Sequence, residues 1–301
     1  MPLVRRKVVA PTEEERAIEA MGGEYDAVSP VGLEAEVRQL GVRALRLNAS
    51  LLSSVAGLEQ IEFLTTGFGR ADPALITSFP HLRGLQVGDG WLGTLDFGRL
   101  PNLEWLSVGD TRYAAGLDEL LAGHDKLRNL SVVFYGRPDL RSIGHLPALE
   151  RLSLKQPRIQ TLAGIEGAPR LTRLSLEHCA YLNSLSGIEA CDNLEYLAVG
   201  PCRQITDVGP VAGLSKLRFL DLLEMTLVDS LKPFAGHPAL ELVFLPQKAL
   251  DGLSVLSEMP NLKAVWGPPR LVAEVPAGIA RYLNLARGDP LVRAMERLRA
   301  D

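Results

Sequence analysis

From Val42 to Gly267 the chain repeats one arrangement of apolar and polar positions. The pattern Leu-x-x-Leu-x-Leu starts at Val42, Ile61, Leu82, Leu103, Leu127, Leu149, Leu171, Leu194, Leu217, Leu240 and Leu262, at intervals of 19 to 24 residues. Numbering slots from each start, slot 4 is apolar in all eleven copies, from Leu45 to Val265, and slot 6 fails only at Thr66 and Gly267. Slots 3 and 5 between them are mostly polar or aromatic. Apolar residues at every second position over a short run mark a strand with one buried face, so each repeat predicts one short strand. A single repeat cannot bury its own leucines; neighbours must stack and share one continuous core.

The stretches "LERLSLKQPRIQTLAGIEGAPR" (149–170) and "ITDVGPVAGLSKLRFLDL" (205–222) carry the pattern most fully. They resemble the leucine-rich repeat family, and within it the bacterial type of about 22 residues found in the internalins. The resemblance covers about residues 42 to 267. It implies an α/β fold, a right-handed solenoid with about eleven parallel strands on its concave face and irregular or 3-10 segments on the convex side. The chain departs from the family at slot 9, where asparagine is usual. Ser50, Gly69, Gly90, Thr111, Tyr135, Pro157, Cys179, Cys202, Met225 and Lys248 stand there instead, so a regular asparagine ladder is not expected.

Terminal rungs of such a stack expose leucines and need covers. Thr12 and Glu15 form a capping box for a helix over 13–21, stopped by Gly22 and Gly23. Ser29 and Pro30 predict the N-cap and first position of a second helix, running to Gln39 before Gly41. At the other end, "PAGIARYLNLARG" (276–288) and "DPLVRAMERLRAD" (289–301) read as two amphipathic helices. The expected organisation is an N-terminal helical cap over 1–41, repeats over 42–267, and a C-terminal helical cap over 268–301. Leu291, Met295 and Leu298 on the last helix offer a second reading as a membrane or partner stripe.

Composition narrows the function. With 47% apolar and 23% charged residues the chain is expected to fold as a soluble globular protein. A net charge of −4, a pI near 5.8 and the lack of a long basic run argue against nucleic acid. No apolar run reaches 18 residues, and the N-terminal sequence lacks a signal-peptide core, so neither membrane insertion nor export is expected. Three cysteines, an odd number, fit a reducing, cytoplasmic setting.

Those cysteines and His178 fall within one window. Cys179 and Cys202 both occupy slot 9, an inward-facing turn position, whereas Cys191 aligns with Phe79, Leu100, Leu146, Leu214 and Met259 on the return arm. His178, in slot 8, should point away from Cys179. Zinc needs four ligands converging on one ion; thiols on different arms are better read as small buried apolar side chains. His124 and His237 align with Cys191 and read as packed histidines. No cofactor is expected.

Slot 2 alternates in sign: Arg43, Glu62, Arg83, Glu104, Arg128, Glu150, Thr172, Glu195, Arg218, Glu241, Lys263. Parallel strands lie about 4.8 Å apart, so opposite charges face each other between rungs and set register. Slots 3, 5, 7 and 8 hold Phe63, Phe68, Trp105, Phe134, Tyr196, Phe219, Phe244 and Trp266, in a chain with only 6% aromatic residues. Exposed, these rings would make a recognition surface; a second reading has several of them packing on one another. Arg151, Lys155 and Arg173 lie between the aromatic ends, with Asp89 and Asp110 in one acidic zone and Asp221 and Glu224 in another. This mixed surface fits a folded protein or peptide partner, in an inhibitor, immunity or scaffold role.

The enzymatic alternative rests on Asp89 and Asp110, slot 8 carboxylates of adjacent rungs that could share a proton or hold a cation. No nucleophile elbow, P-loop or metalloprotease helix motif accompanies them. Metal analysis of the purified protein is expected to find no stoichiometric zinc, and a chelator to leave thermal stability unchanged. One zinc per chain, lost on Cys191→Ser, would overturn the reading of the cysteines.

Overall fold

Two residues after each apolar start, the chain enters a strand. A computed structural model of the protein describes residues 3–5, 13–21, 23–67, 72–88, 96–110, 121–248 and 251–282. The eleven repeat strands are β3 (Ala44–Leu47), β4 (Phe63–Thr66), β5 (Gly84–Val87), β6 (Trp105–Asp110), β7 (Asn129–Val133), β8 (Arg151–Lys155), β9 (Arg173–Glu177), β10 (Tyr196–Val199), β11 (Phe219–Asp221), β12 (Leu242–Phe244) and β13 (Ala264–Trp266). Three more strands lie outside the repeat pattern: β1 (Leu3–Arg5), β2 (Glu24–Ala27) and β14 (Ala280–Tyr282). The chain forms two compact units, residues 1–132 and 133–298, and in each the strand order follows the chain. The described pairings are parallel except that of β1 with β2.

Register is fixed by one recurring backbone arrangement. The slot 2 carbonyl of each rung accepts two N–H groups from the next: Arg43 O from Glu62 N and Phe63 N at 2.8 and 3.1 Å, and Glu195 O from Arg218 N and Phe219 N at 2.9 and 3.0 Å. Slots 4 and 6 then point into the core; Leu45, Leu85, Leu130, Leu152, Leu174, Leu197 and Leu220 are all buried. Thr66, the polar exception in slot 6, is buried with its hydroxyl bonded to Gln86 O. Return arms of single 3-10 turns, such as Ile143–His145, Ile165–Gly167 and Ile188–Ala190, supply further isoleucines to this core. They stack so closely that a Cβ on Gly167 would stand 1.9 Å from Gly144 O.

The slot 2 charges form the expected column. In the first unit Arg43 pairs with Glu62, and Arg83 bridges Glu62 at 3.4 Å and Glu104 at 2.8 Å. In the second, Arg218 lies 4.0 Å from Glu195 and 2.8 Å from Glu241, which also binds Lys263 at 2.5 Å. Hydrogen bonding to Glu104 raises the Arg83 guanidinium pKa. At Glu241, burial pushes the carboxyl up, but hydrogen bonds from Arg218 and Lys263 outweigh it and leave it below the usual carboxylate range. Thr172 interrupts the alternation and bonds Glu150 O through its hydroxyl.

The ends differ from the sequence expectation in detail. α1 (Glu13–Ala20) forms where the capping box placed a helix. α2 (Leu33–Leu40) begins three residues later than expected, with Gly32 as N-cap; Ser29 accepts a bond from Val31 N in the turn before it. A glycine in left-handed backbone (φ 71) here turns the chain into the helix, so Pro30 is not its first residue. α3 (Pro269–Ala273) follows β13 and buries Leu271 and Val272. Within "PAGIARYLNLARG", expected as helix, Ala280–Tyr282 is strand β14, with Ala280 N donating to Lys263 O. The open edge of β13 offers unpaired backbone groups, and satisfying them outweighs a helical apolar stripe. Residues 283–301, including the last expected helix, lie outside the described residues.

Leu174 is fully buried in slot 4 of β9. Leu174→Ala is expected to cost about 2 to 5 kcal/mol in denaturant melts, through lost burial plus a cavity shared by two rungs. A loss below about 1 kcal/mol would mean that slot 4 is not the core position.

Candidate functional site

Residues in slots 3 and 5 lie on the sheet face turned away from the leucine core, and each unit covers that face differently. In the first unit Ala44, Phe63, Gly84 and Trp105 are aligned in slot 3 of β3 to β6. Phe63 and Trp105 are buried, their ring centroids 5.2 Å apart. Gly84 permits this: a Cβ there would fall 2.2 Å from Phe63 Cδ1, so the ring lies across β5 towards Trp105. Ile18 of α1 packs into the same cluster, with Ala17 and Met21 beside it. α1 therefore lies on the first unit's outer sheet face, above two residues expected in the recognition surface. Arg83 covers Trp105 from the slot 2 side at 5.4 Å. Deeper along the face, Glu24 is buried and accepts a bond from Thr65 at 3.1 Å, with Arg46 3.8 Å away.

In the second unit the rings pack on one another. Tyr196 and Phe219 stack at 4.4 Å with planes 4° apart; Phe219 meets Phe244 at 5.4 Å, and Phe244 meets Trp266 at 5.0 Å. Leu242 and Ala264 complete the cluster, with Leu223 and Ala198 at its border. Phe219 is fully buried, and only Trp266 keeps partial exposure, its indole Nε1 buried without a hydrogen-bond partner. Of the two readings of the aromatic slots, mutual packing describes these four rings. Offset and tilted ring pairs of this kind stabilise a sheet face beyond simple burial.

The row ends at Tyr196, where Arg173 stands over the ring at 5.5 Å. Arg173 is in register with Arg151, Ser175 with Ser153, and Glu177 with Lys155. All four of the inner residues are half-buried, and Lys155 and Glu177 form a 4.0 Å ion pair at the strand ends. Two guanidinium groups thus project from neighbouring strands, beside two hydroxyls, at the polar end of an apolar row. Asp221 is half-buried and accepts a bond from Leu223 N at 3.0 Å, the role of a turn carboxylate.

Slot 8 explains both Phe134 and the cysteines. Phe134, Gln156 and His178, on consecutive rungs, all adopt left-handed backbone, with φ of 59, 52 and 56°. That reversal turns slot 9 inward, burying Tyr135, Pro157 and Cys179. Cys202 and Met225 continue the column, so apolar packing stands where the family's asparagines would be. His178 is exposed while Cys179 is buried, and Cys191 is buried on the return arm, where burial pushes its thiol up to about 12. Sequence gave no sign of the slot 8 backbone, because none of the three residues is glycine or asparagine. Phe68 and Asp89 lie outside the described residues, as does the Asp110 side chain, so the paired carboxylates have no described geometry.

No family model and no curated protein sequence matches the chain. Solved structures do. An internalin (inlF) from Listeria monocytogenes aligns with a TM-score of 0.57 at 17% identity, covering 86% of this chain and 91% of that one. A chain of the mouse RP105/MD-1 complex aligns with a TM-score of 0.53 at 17% identity, covering 75% of this chain and 46% of that one, so this chain spans less than half of that neighbour. Both are leucine-rich-repeat proteins, and the fold is theirs.

The close fit at Gly84 is open to a double-mutant cycle. Gly84→Ala is expected to cost about 1 to 3 kcal/mol by displacing Phe63 from Trp105, and to cost much less when Phe63 is already alanine. Additive losses would show that the ring does not need the missing side chain.

Proposed function

We propose that this leucine-rich-repeat chain is a non-catalytic protein-binding module whose partner seats a carboxylate-bearing segment on Arg151 and Arg173. One contrast carries the reading. In slot 2 the chain alternates charge from rung to rung, the arrangement that avoids like neighbours; in slot 3 of β8 and β9 it sets two arginines in register. A carboxylate lying across both would meet two guanidinium groups, which make charge-assisted contacts with well-defined geometry.

The surroundings suit a peptide or a protruding protein segment. Ser153 and Ser175 offer hydroxyls beside the arginines, and Tyr196, Leu223 and Trp266 border an apolar strip leading away from them. From β8 to β13 the face spans roughly 24 Å of strand spacing, the scale of one side of a standard interface. That one structural neighbour was solved as a two-protein complex supports a protein as the ligand class. The three free buried thiols support a reducing, cytoplasmic setting for it.

A displayed peptide library selected on the wild type should enrich sequences pairing Asp or Glu with an apolar residue. The Arg151→Glu, Arg173→Glu variant should bind those peptides at least about tenfold more weakly, roughly 1.4 kcal/mol, with the wild-type affinity falling as salt rises. Selected peptides without acidic residues, or equal binding to the variant, would remove these arginines from the site.

A further inference from the structure

Outside the proposed binding face, one pair of thiols lies on adjacent rungs of the core. Cys179 and Cys202 occupy the same slot on neighbouring rungs, following β9 and β10. Backbone pairing continues almost to the cysteines themselves: Gly200 N donates to Leu176 O at 2.9 Å and His178 N to Gly200 O at 3.4 Å. The two backbone segments are thus held about one strand spacing, roughly 5 Å, apart where the cysteines sit, inside the Cα separation that a disulfide spans. Both side chains point inward, at 0% and 1% exposure, and the thiols hydrogen-bond each other. Cys202 Sγ also lies 3.8 Å from Leu176 O. His178, Ala180 and Arg203, next to them in the chain, are exposed.

We propose that Cys179 and Cys202 are a redox modification site, closing to a disulfide across two rungs when the protein meets hydrogen peroxide. Hydrogen bonding with Cys202, together with burial, raises the pKa of Cys179; hydrogen bonding with Cys179, acting against burial, lowers that of Cys202. In the proposed sequence Cys202, as its thiolate, attacks first. It attacks one peroxide oxygen, the O–O bond breaks, and a sulfenic acid and hydroxide form. The Cys179 thiol then attacks that sulfur: the S–S bond forms, the S–O bond breaks and water leaves with the thiol proton. The hydroxide takes up the proton that Cys202 had lost. Two thiols and one peroxide give one disulfide and two waters, with both sulfurs oxidised and the peroxide reduced. Cys191, on the other arm and without a thiol neighbour, stays outside the reaction. The bond would tie together the two rungs that carry Arg173 and Tyr196, but it does not depend on what those residues bind.

The test treats the native, full chain with peroxide at neutral pH, then unfolds it in iodoacetamide and digests it with a glutamate-specific protease. Cleavage after Glu177, Glu189 and Glu195 puts the three cysteines on three peptides. The expected product joins the peptides of Cys179 and Cys202, leaves Cys191 alkylated and reverts with dithiothreitol. The oxidised protein should melt several degrees higher, since the cross-link restricts the unfolded chain. In Cys179→Ser, Cys202 should stop at the sulfenic acid and be trapped by dimedone. Full alkylation of both cysteines, a link through Cys191, or conversion to sulfinic acid without a linked peptide would overturn the proposal.

Discussion

Everything in this protein follows from the fact that a rung cannot bury its own leucines. Slots 4 and 6 project from one strand into a core that the next rung must complete, and the doubly accepting slot 2 carbonyl fixes how far the next rung may slide. A shift of one residue would exchange Leu174 and Leu176 for Arg173 and Ser175 in the core, so register is strongly held. Other local features serve this stacking: single-turn return arms, glycines where arms touch, and inward turns at slot 9.

The opposite face of the sheet has no neighbour to complete it, and the chain handles that in two ways. In the first unit it lays α1 over Phe63 and Trp105; in the second it lets four rings cover one another. Apolar content alone is thus a poor guide to where a partner sits. Arg151 and Arg173 stand out for the opposite reason: they are polar, in register and alike in charge.

Most of the repeat architecture was legible because it rests on a periodic signal. All eleven starts lead into a strand two residues on, and the slot 2 column forms ion pairs in both units. What was not legible depends on non-periodic causes. Strand β2, "EYDA", has no leucine spacing and is a strand because β3 needs a partner. Strand β14 forms for the same reason on β13, in a segment whose own pattern favours a helix. The place of α1 was hidden because Ile18 is buried in a cluster with Ala44, Phe63 and Trp105, which come from three later strands. At the candidate site, residue types were readable but exposure was not: a ring in slot 3 looks the same in sequence whether it faces solvent or its neighbour.

The alternating slot 2 column also constrains how such a chain could grow. Repeating one rung would place two arginines or two glutamates side by side on the flank, while repeating two would keep every neighbour opposite. Thr172 keeps the phase, standing where a cation would fall between Glu150 and Glu195. The unit of duplication compatible with this flank is a pair of rungs, so lengthening by an odd number would require a charge change or a neutral residue at the join.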